Sequence, residues 1–544
     1  MGTRVKEKNM SKVFGIDLGT TYSAIAHITD SDTVEIIDNA DGQSTTPSVV
    51  FFEDATNVVV GATAKQGAKF NPEQTVSLIK REMGRKGPEV ERQFFGNTYT
   101  PESISAIILR ELIENAMEEV DTDSKKAVIT VPAYFGLNEK NSTKLAGEIA
   151  GIDVIDIVSE PVAAAVAEGF DFTREETVLV YDLGGGTFDC TIMTFSPDEG
   201  IRVKAVDGDR TLGGADWDKA LYDFVLDQFW EACASQLGDE YPEDDVAFVQ
   251  ELQNAAENAK ISLTKKTKVR VPCAYAGAST LVEVTQEDFE RATRHLLDRT
   301  LECVDRTLAL GNKNFPGLKV DKYLLVGGSS RMPQVADALT EKYGWTLQKT
   351  HFDHAVAKGA AMIGQGIVEV PAGDNGLPDK QEGPRELLLP GHGQAGTMTI
   401  QNLLSKAVGV KFSNEDGSQY IGHLIEQNTP LPAEGSVKAS TLGDSVQSLP
   451  VHLFEQKGEV PSEELGANVE ITPESGAIFT DLPNLPKGSP IHMTMKVDAS
   501  GLLHFEGYEP STDQYLRLEI EVSTMQREEV ERAKEVVSSL TRNE

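Results

Sequence analysis

The sequence predicts a mixed α/β protein in two parts: a two-lobed domain built on parallel, helix-covered sheet, then an all-β domain closed by a short helix. Three observations carry this. A strand–turn–strand unit with Asp-Leu-Gly at its turn occurs twice, at Asp17-Leu18-Gly19 and at Asp182-Leu183-Gly184. Strand and helix patterns alternate around both copies, which is the spacing of a parallel sheet with helical crossovers. Beyond about residue 399 helical periodicity stops and short strands alternate with turns.

In order along the chain, "VFGIDLGTTYSAIAHI" at 13–28 reads as strand, tight turn and strand. Ile104, Ile107, Ile108, Leu112, Ile113 and Met117 recur at helical spacing over 102–120. A buried strand at 127–131 stops at Pro132, a helix runs from about Asn138 to Ala150, and a strand follows near 153–158. The second glycine turn lies in "VYDLGGGTFDCTI", 180–192, and has one more loop residue than the first. Helical composition continues through 215–236 and 246–264. A third glycine turn, Gly327-Gly328, precedes a helix opened by Pro333, a favoured first-turn residue. Residues 371–396 are rich in Gly and Pro and read as a linker, in which the apolar triplet Leu387–Leu389 stands out. After the β-rich stretch the chain ends in one amphipathic helix with Val530, Ala533, Val537 and Leu540 on one face.

Composition narrows the function. The chain has 544 residues, 40% hydrophobic and 25% charged, with a net charge of −36. Such a charge opposes nonspecific nucleic-acid binding, which needs a positive field to displace counterions. No apolar run reaches the ~18–20 residues of a membrane span, and the N-terminal residues lack a secretory apolar core. Cys190, Cys233, Cys273 and Cys303 are widely spaced, without zinc or redox motifs, and read as buried free thiols of a reducing compartment.

The glycine turns carry the chemistry. A glycine run between strands leaves backbone N–H groups free to converge on an anion, and lets a phosphate approach closely. Gly184, Gly185 and Gly186 form one such cradle; Gly19, Thr20 and Thr21 form another with two hydroxyls added. A carboxylate facing phosphate repels it unless a cation intervenes. Asp17 and Asp182 therefore fit a shared Mg²⁺, held largely through water. The pattern GxxxxGK[ST] is absent, which excludes the P-loop class of NTPase.

With these motifs in hand, the chain resembles the actin/hexokinase/heat-shock ATPase superfamily, and within it the 70-kDa heat-shock chaperone family of bacterial DnaK type. The matching stretches are "GIDLGTTYS" at 15–23, "TTPSVV" at 45–50, "IKREMGR" at 79–85, "AVITVPAYF" at 127–135, "EPVAAAVAEG" at 160–169, "VYDLGGGTFD" at 180–189, "LGGADWD" at 212–218, "LVGGSSRMPQV" at 325–335 and "HAVAKGAA" at 354–361. The resemblance implies a two-lobed actin-like ATPase domain of duplicated ribonuclease H-like fold at 11–370, a linker at 371–400, a β-sandwich peptide-binding domain at 401–522 and the start of a truncated helical lid at 523–544. It implies a cytoplasmic stress-response chaperone that binds exposed apolar segments of unfolded polypeptides, with affinity set by ATP binding and hydrolysis. ATP/ADP, Mg²⁺ and K⁺ are the implied cofactors. A J-domain co-chaperone and a nucleotide-exchange factor are the implied partners besides the polypeptide, with no nucleic acid or membrane.

Residue by residue, the resemblance sets Lys80 beside the γ-phosphate and the attacking water, Glu160 near the water and metal shell, and Asp189 and Thr187 flanking the γ-phosphate. Gly19, Thr20, Thr21, Gly184, Gly185 and Gly186 belong to the phosphate side, and Tyr22, Gly213 and Gly214 are further nucleotide-binding residues. Glu257, Lys260 and Thr264 line the ribose and adenine. Gly327, Gly328, Ser329, Arg331 and Asp353 close the adenosine side, with Arg331 stacking on the base. Asp17 and Asp182 hold the metal. In the β domain a peptide would add by backbone hydrogen bonds over an apolar pocket, for which Ile421, Leu442, Leu449 and Val451 are candidates.

Four departures accompany the resemblance. Ile261 stands where some relatives have a second base-stacking arginine. Gly136-Leu137 replaces the usual Asn-Asp after "VPAYF", which bears on J-domain contact. The apolar linker is displaced, with Leu387–Leu389 and Met398-Thr399-Ile400 as rival candidates. The lid is reduced to one helix, whose Val530, Ala533 and Val537 are expected to pack on the sandwich. A nucleotide-binding scaffold with uncoupled domains and a small-molecule kinase of the same superfamily remain as alternative functions.

Overall fold

The computed structural model describes residues 12–542, apart from 169–173, 238–240, 350–353, 367–384, 388–397, 459, 473–475, 481, 483, 500, 512 and 521–524. Two sheets with the same internal logic form its centre. In the first, Asp153–Ser159, Lys126–Val131, Val13–Asp17, Tyr22–Ile28 and Val34–Ile36 lie side by side. In the second the order is Leu347–Lys349, Lys322–Val326, Glu176–Leu183, Phe188–Ser196 and Gly200–Asp209. Each has a central strand that pairs parallel on one side and folds back antiparallel on the other. The duplication read from the two Asp-Leu-Gly turns is therefore a duplication of topology. Asp17 ends the first of the two equivalent strands, and Asp182 stands one residue before the end of the second.

Helices cover these sheets because their sequences start and stop cleanly. Pro101–Val120 opens with Thr100 accepting from the Ser103 amide and Pro101 in the first turn. Between the lobes the helices Glu160–Ala167 and Ala355–Gly366 cross in one alanine-rich core with Val162, Ala163, Val356 and Ala360 buried. The second lobe packs Trp217, Phe229, Leu252 and Leu297 from its helices into a separate core. Among the described residues no helix is long and apolar enough to cross a membrane.

The β-rich part is a sandwich. Gln419–Ile425, Val408–Ser413, Leu453–Gln456 and Asn468–Glu470 form one sheet; Ala433–Ser440, Pro490–Val497, Leu503–Glu509 and Gln514–Ile520 form the other. Alternation sets its interior: Ile491, Met493, Met495 and Val497 point inward with Leu453, Leu503 and Phe505. Of the rival linker segments, Leu387 ends the strand Arg385–Leu387, while Leu388 and Leu389 lie outside the described residues. Met398–Gln401 pairs with that strand and, in parallel, with Gly200–Asp209, extending the second lobe's sheet.

The sandwich sits against the first lobe at the start of the helix Leu137–Ile149. Leu137 is buried within the sandwich core itself. Glu455 accepts hydrogen bonds from the Leu137 N–H at 2.6 Å and the Asn138 N–H at 3.4 Å, satisfying amides that a helix N-terminus leaves open. Glu139 takes Lys406 of the sandwich and Arg210 of the second lobe on one oxygen, each at 2.6 Å. Burial alone would raise this carboxyl; the two cations hold it down to about 2. Burial and the nearby Glu139 charge push Glu455 up to about 7.

The C-terminal helix Arg527–Ser539 corrects an expectation. Val530 and Val537, with Ala533 beside them, join the first lobe's core rather than the sandwich. An amphipathic face says that something covers it, not what. Arg110 donates to the Val537 carbonyl, and to Leu540 O at 2.8 Å. Thr541–Arg542 adds in parallel to Asn57–Val60. Arg110→Ala is expected to lower the melting stability by about 2–3 kcal/mol, since these bonds carry charge and are buried. Hydrogen exchange across Arg527–Ser539 should accelerate first; unchanged exchange there would count against this anchoring.

Candidate functional site

A cleft cavity of about 360 Å³ lies between the lobes, and the two Asp-Leu-Gly turns form its floor. The close meeting of these turns explains their glycines. A Cβ on Gly185 would fall 1.8 Å from Thr21 Oγ1, and one on Gly186 2.2 Å from Thr20 Cγ2. The second turn is closed by Gly184 N–H donating to Thr187 O at 3.0 Å. The helix Gly214–Leu237 starts against it, with Gly214 and Ala215 amides donating to the Gly184 and Gly185 carbonyls.

Below the turns lies a concentration of buried charge. Lys80 is 3% exposed and its ammonium is 2.5 Å from Glu160 Oε1. It sits in the 3₁₀ turn Ile79–Glu82, entered through Leu78 at φ 58°, a left-handed conformation that costs a branched residue and concentrates at functional sites. Glu160 opens the helix Glu160–Ala167, where the macrodipole favours a carboxylate. Asp182 and Asp189 stand directly opposite each other on neighbouring strands, an arrangement that is unfavourable for like charges. Burial first, then Glu160 and Asp17, push the Asp182 carboxyl well above its usual range, and Lys80 opposes this. Asp189 is pushed up in the same way by burial, Glu160 and Asp182. Such a group of carboxylates fits an added cation. Magnesium keeps most of its waters, so such a cation would be held here largely through water.

Most of the sequence-derived residues converge on this cavity. Asp17, Gly19, Thr20, Thr21, Tyr22, Lys80, Glu160, Asp182, Gly184, Gly185, Thr187, Gly214, Glu257, Lys260, Thr264, Gly327, Gly328, Ser329 and Arg331 line it. Asp189 lies behind the wall, 1% exposed, with the Tyr134 N–H donating to its Oδ1 at 3.3 Å. Gly186 and Gly213 meet back to back beneath the turn. Asp353 falls outside the described residues. Ile261, half exposed, lines the rim together with Arg331.

Several participants were not read from the sequence. Lys65 bridges the lobes, its ammonium 2.5 Å from Glu257 Oε2 and 2.9 Å from Tyr22 Oη. Asp218 pairs with Lys260 at 2.8 Å. Arg81 donates to Gly186 O at 2.8 Å and pairs with Asp216 at 2.6 Å, bracing the glycine cradle. Asp216 and Asp218 lie in "LGGADWD" and Arg81 in "IKREMGR", so both motifs carried the signal; Lys65 has no local signature.

The peptide-pocket candidates differ in exposure. Ile421 is fully buried and Val451 belongs to the sandwich core, whereas Leu449 is half-buried and Leu442 is 43% exposed.

A duplicated two-lobed fold with phosphate-cradling turns facing each other across a carboxylate-rich cleft defines a nucleotide-binding protein of the actin-like ATPase class. The Hsp70 protein family model matches residues 13–377. The chaperone protein DnaK of Halobacterium salinarum, in strains R1 and NRC-1, is 37% identical over 504 residues, covering 91% of this chain and 72% of the relative. The chain belongs to the Hsp70 family, and it is an ATP-dependent chaperone.

Proposed function

We propose that the chain hydrolyses ATP to ADP and phosphate in the interlobe cavity, and that this cycle sets how tightly its β-sandwich holds exposed apolar segments of unfolded polypeptides. The observation that carries the reading is the buried Lys80–Glu160 pair beneath two facing glycine turns, with Asp182 and Asp189 held in the protonation-prone state that a bound cation would relieve.

In this reading Thr20, Thr21 and the amides of Gly184–Gly186 hold the phosphates. Lys80 neutralises charge at the γ-phosphate, Glu160 orients the attacking water, and Asp189 and Thr187 flank the transferred group. Hydrolysis of this kind rests on positioning and charge neutralisation. Asp17 and Asp182 hold hydrated Mg²⁺, with K⁺ as a second cation; magnesium supplies charge neutralisation between the phosphates and these carboxylates. Lys260, Thr264, Ser329 and Arg331 take the adenosine end. A J-domain co-chaperone and a nucleotide-exchange factor complete the proposed cycle. The four buried free thiols support a reducing, cytoplasmic setting.

The test is anisotropy of a labelled, unstructured apolar peptide titrated with the full chain in ADP and in ATP, both with Mg²⁺. Affinity is expected to be several-fold weaker in ATP. Equal affinity in both would reject nucleotide control of the β-sandwich, because a ligand shifts a two-state equilibrium only through differential binding.

A further inference from the structure

A second cavity, of about 410 Å³, opens on the phosphate side of the cleft. It lies between first-lobe residues 65–81 and the second-lobe helices Gly214–Leu237 and Val246–Leu263. Thr20, Thr21, Ala215, Asp218 and Glu257 line it and the nucleotide cavity alike, so the two share a wall. The 3₁₀ turn Ile79–Glu82 serves both: Lys80 lines the nucleotide cavity, and Arg81, the next residue, lines the second. Cations that cross the cleft stand at this wall. Arg81 reaches Gly186 O at 2.8 Å and Asp216 at 2.6 Å, and Lys65 reaches Glu257 at 2.5 Å and Tyr22 Oη at 2.9 Å. A guanidinium has five N–H donors and an ammonium three, so each keeps capacity for another acceptor. Thr75 and Ser77 add hydroxyls on one wall, and Lys219 adds an exposed cation on the other.

Hydrolysis in the interlobe cavity leaves two products, and the larger one blocks the smaller. ADP occupies the space between the cleaved phosphate, beside the buried Lys80–Glu160 pair, and the rim at Arg331. We propose that the second cavity is the exit for inorganic phosphate, entered across the Thr20–Thr21 wall when the Arg81–Asp216 contact parts. The inference rests on the assignment of hydrolysis to this site. A conduit must attract its passenger and also let it go. The lining is balanced for that. Arg81, Lys65 and Lys219 offer charge-assisted donors to a phosphate dianion. Asp216, Asp218 and Glu257 compete for the same cations and keep the dianion from settling. ADP does not follow, because its adenosine end is held on the far side of the shared wall.

Two substitutions outside the hydrolytic set test this in the full chain. Lys219→Glu places a negative charge at the exposed rim, and Ser77→Trp narrows the opposite wall. Cleavage is timed by acid quench in a single turnover, and free phosphate in parallel with a fluorescent phosphate-binding reporter. Both variants are expected to cleave ATP and release ADP at the unsubstituted rates. Phosphate release is expected to fall behind cleavage, slowed by about threefold to tenfold. The Lys219→Glu lag should shrink at about 1 M salt, where exposed charges are screened within ~3 Å, while the steric Ser77→Trp lag persists. Variants on opposite walls keep the test decisive if one of them cleaves slowly. An unchanged phosphate lag in both would overturn the proposal. So would phosphate that leaves only together with ADP, since that places its exit at the nucleotide mouth. Failure of the unsubstituted chain to hydrolyse ATP would instead sink the assignment of the site, and the proposal with it.

Discussion

Lys80→Ala is expected to leave a chain that binds ATP and scarcely turns it over, with single-turnover hydrolysis reduced by roughly 10²–10³-fold, the usual cost of removing one preorganised charge. Lys80 is the cation that opposes the upward push on both Asp182 and Asp189. Its removal also leaves Glu160 buried without its ion-pair partner, a change that commonly costs about 3–5 kcal/mol. The nucleotide-free melting midpoint should therefore fall. The two readouts together distinguish this site from an ordinary buried ion pair: a structural pair would lower stability and leave hydrolysis per folded molecule alone. Hydrolysis within about threefold of the unsubstituted rate would reject the assigned role.

Gly136→Val should separate the sandwich from the first lobe. Backbone strain is not the reason, because Gly136 has φ −75°, which valine adopts readily. The reason is what already occupies the space. A Cβ there would stand 2.5 Å from Glu455 Oε1 and 2.8 Å from Lys406 Cδ. Both side chains are pinned, Glu455 by the Leu137 amide and Lys406 by Glu139, so neither can step aside without breaking its hydrogen bond. Leu137 would then leave the sandwich core and expose a side chain whose burial contributes about 1.5–3 kcal/mol. The expected outcome is a larger radius of gyration by small-angle scattering and faster hydrogen exchange at Leu403 and Leu404, with ATP affinity retained. An unchanged scattering profile would show that the docked arrangement does not depend on this contact.

Much of the nucleotide-binding half was legible because its signals are local. An Asp-Leu-Gly turn at the end of an apolar strand, a glycine run and a lysine in a recognisable stretch each declare themselves within ten residues or so. What the sequence hid was assembly. Glu139, Arg210 and Lys406 come from three separate segments, and each alone looks like a solvated charge; their meeting on one carboxylate exists only in the folded chain. Leu137 stood out in the sequence only as a departure after "VPAYF", and it is a core residue of another domain. The peptide-pocket candidates divide between core and surface for a related reason. Every inward residue of a sandwich strand alternates alike, so Val451 in the core cannot be told by period from a residue lining a groove. Lys65 is invisible for want of any neighbour in sequence that needs it.

The strand Met398–Gln401 pairs with Gly200–Asp209 at Ile201 opposite Ile400 and Arg202 opposite Gln401, with Thr399 Oγ1 adding a bond to Glu199 O at 2.9 Å. Each such bond nets about 1 kcal/mol in water, so the seam is worth about 1–3 kcal/mol. Those bonds alone would leave a detached strand populated at roughly 0.5–15% without any ligand, and the buried Ile400 side chain lowers that further. The seam is one tie among several between the lobes and the sandwich, beside Leu137 in the sandwich core and Lys406 on Glu139. A bound molecule would open it only by favouring the open side by more than these ties together, so a nucleotide and a peptide would act on it through the difference in their affinities for the two states.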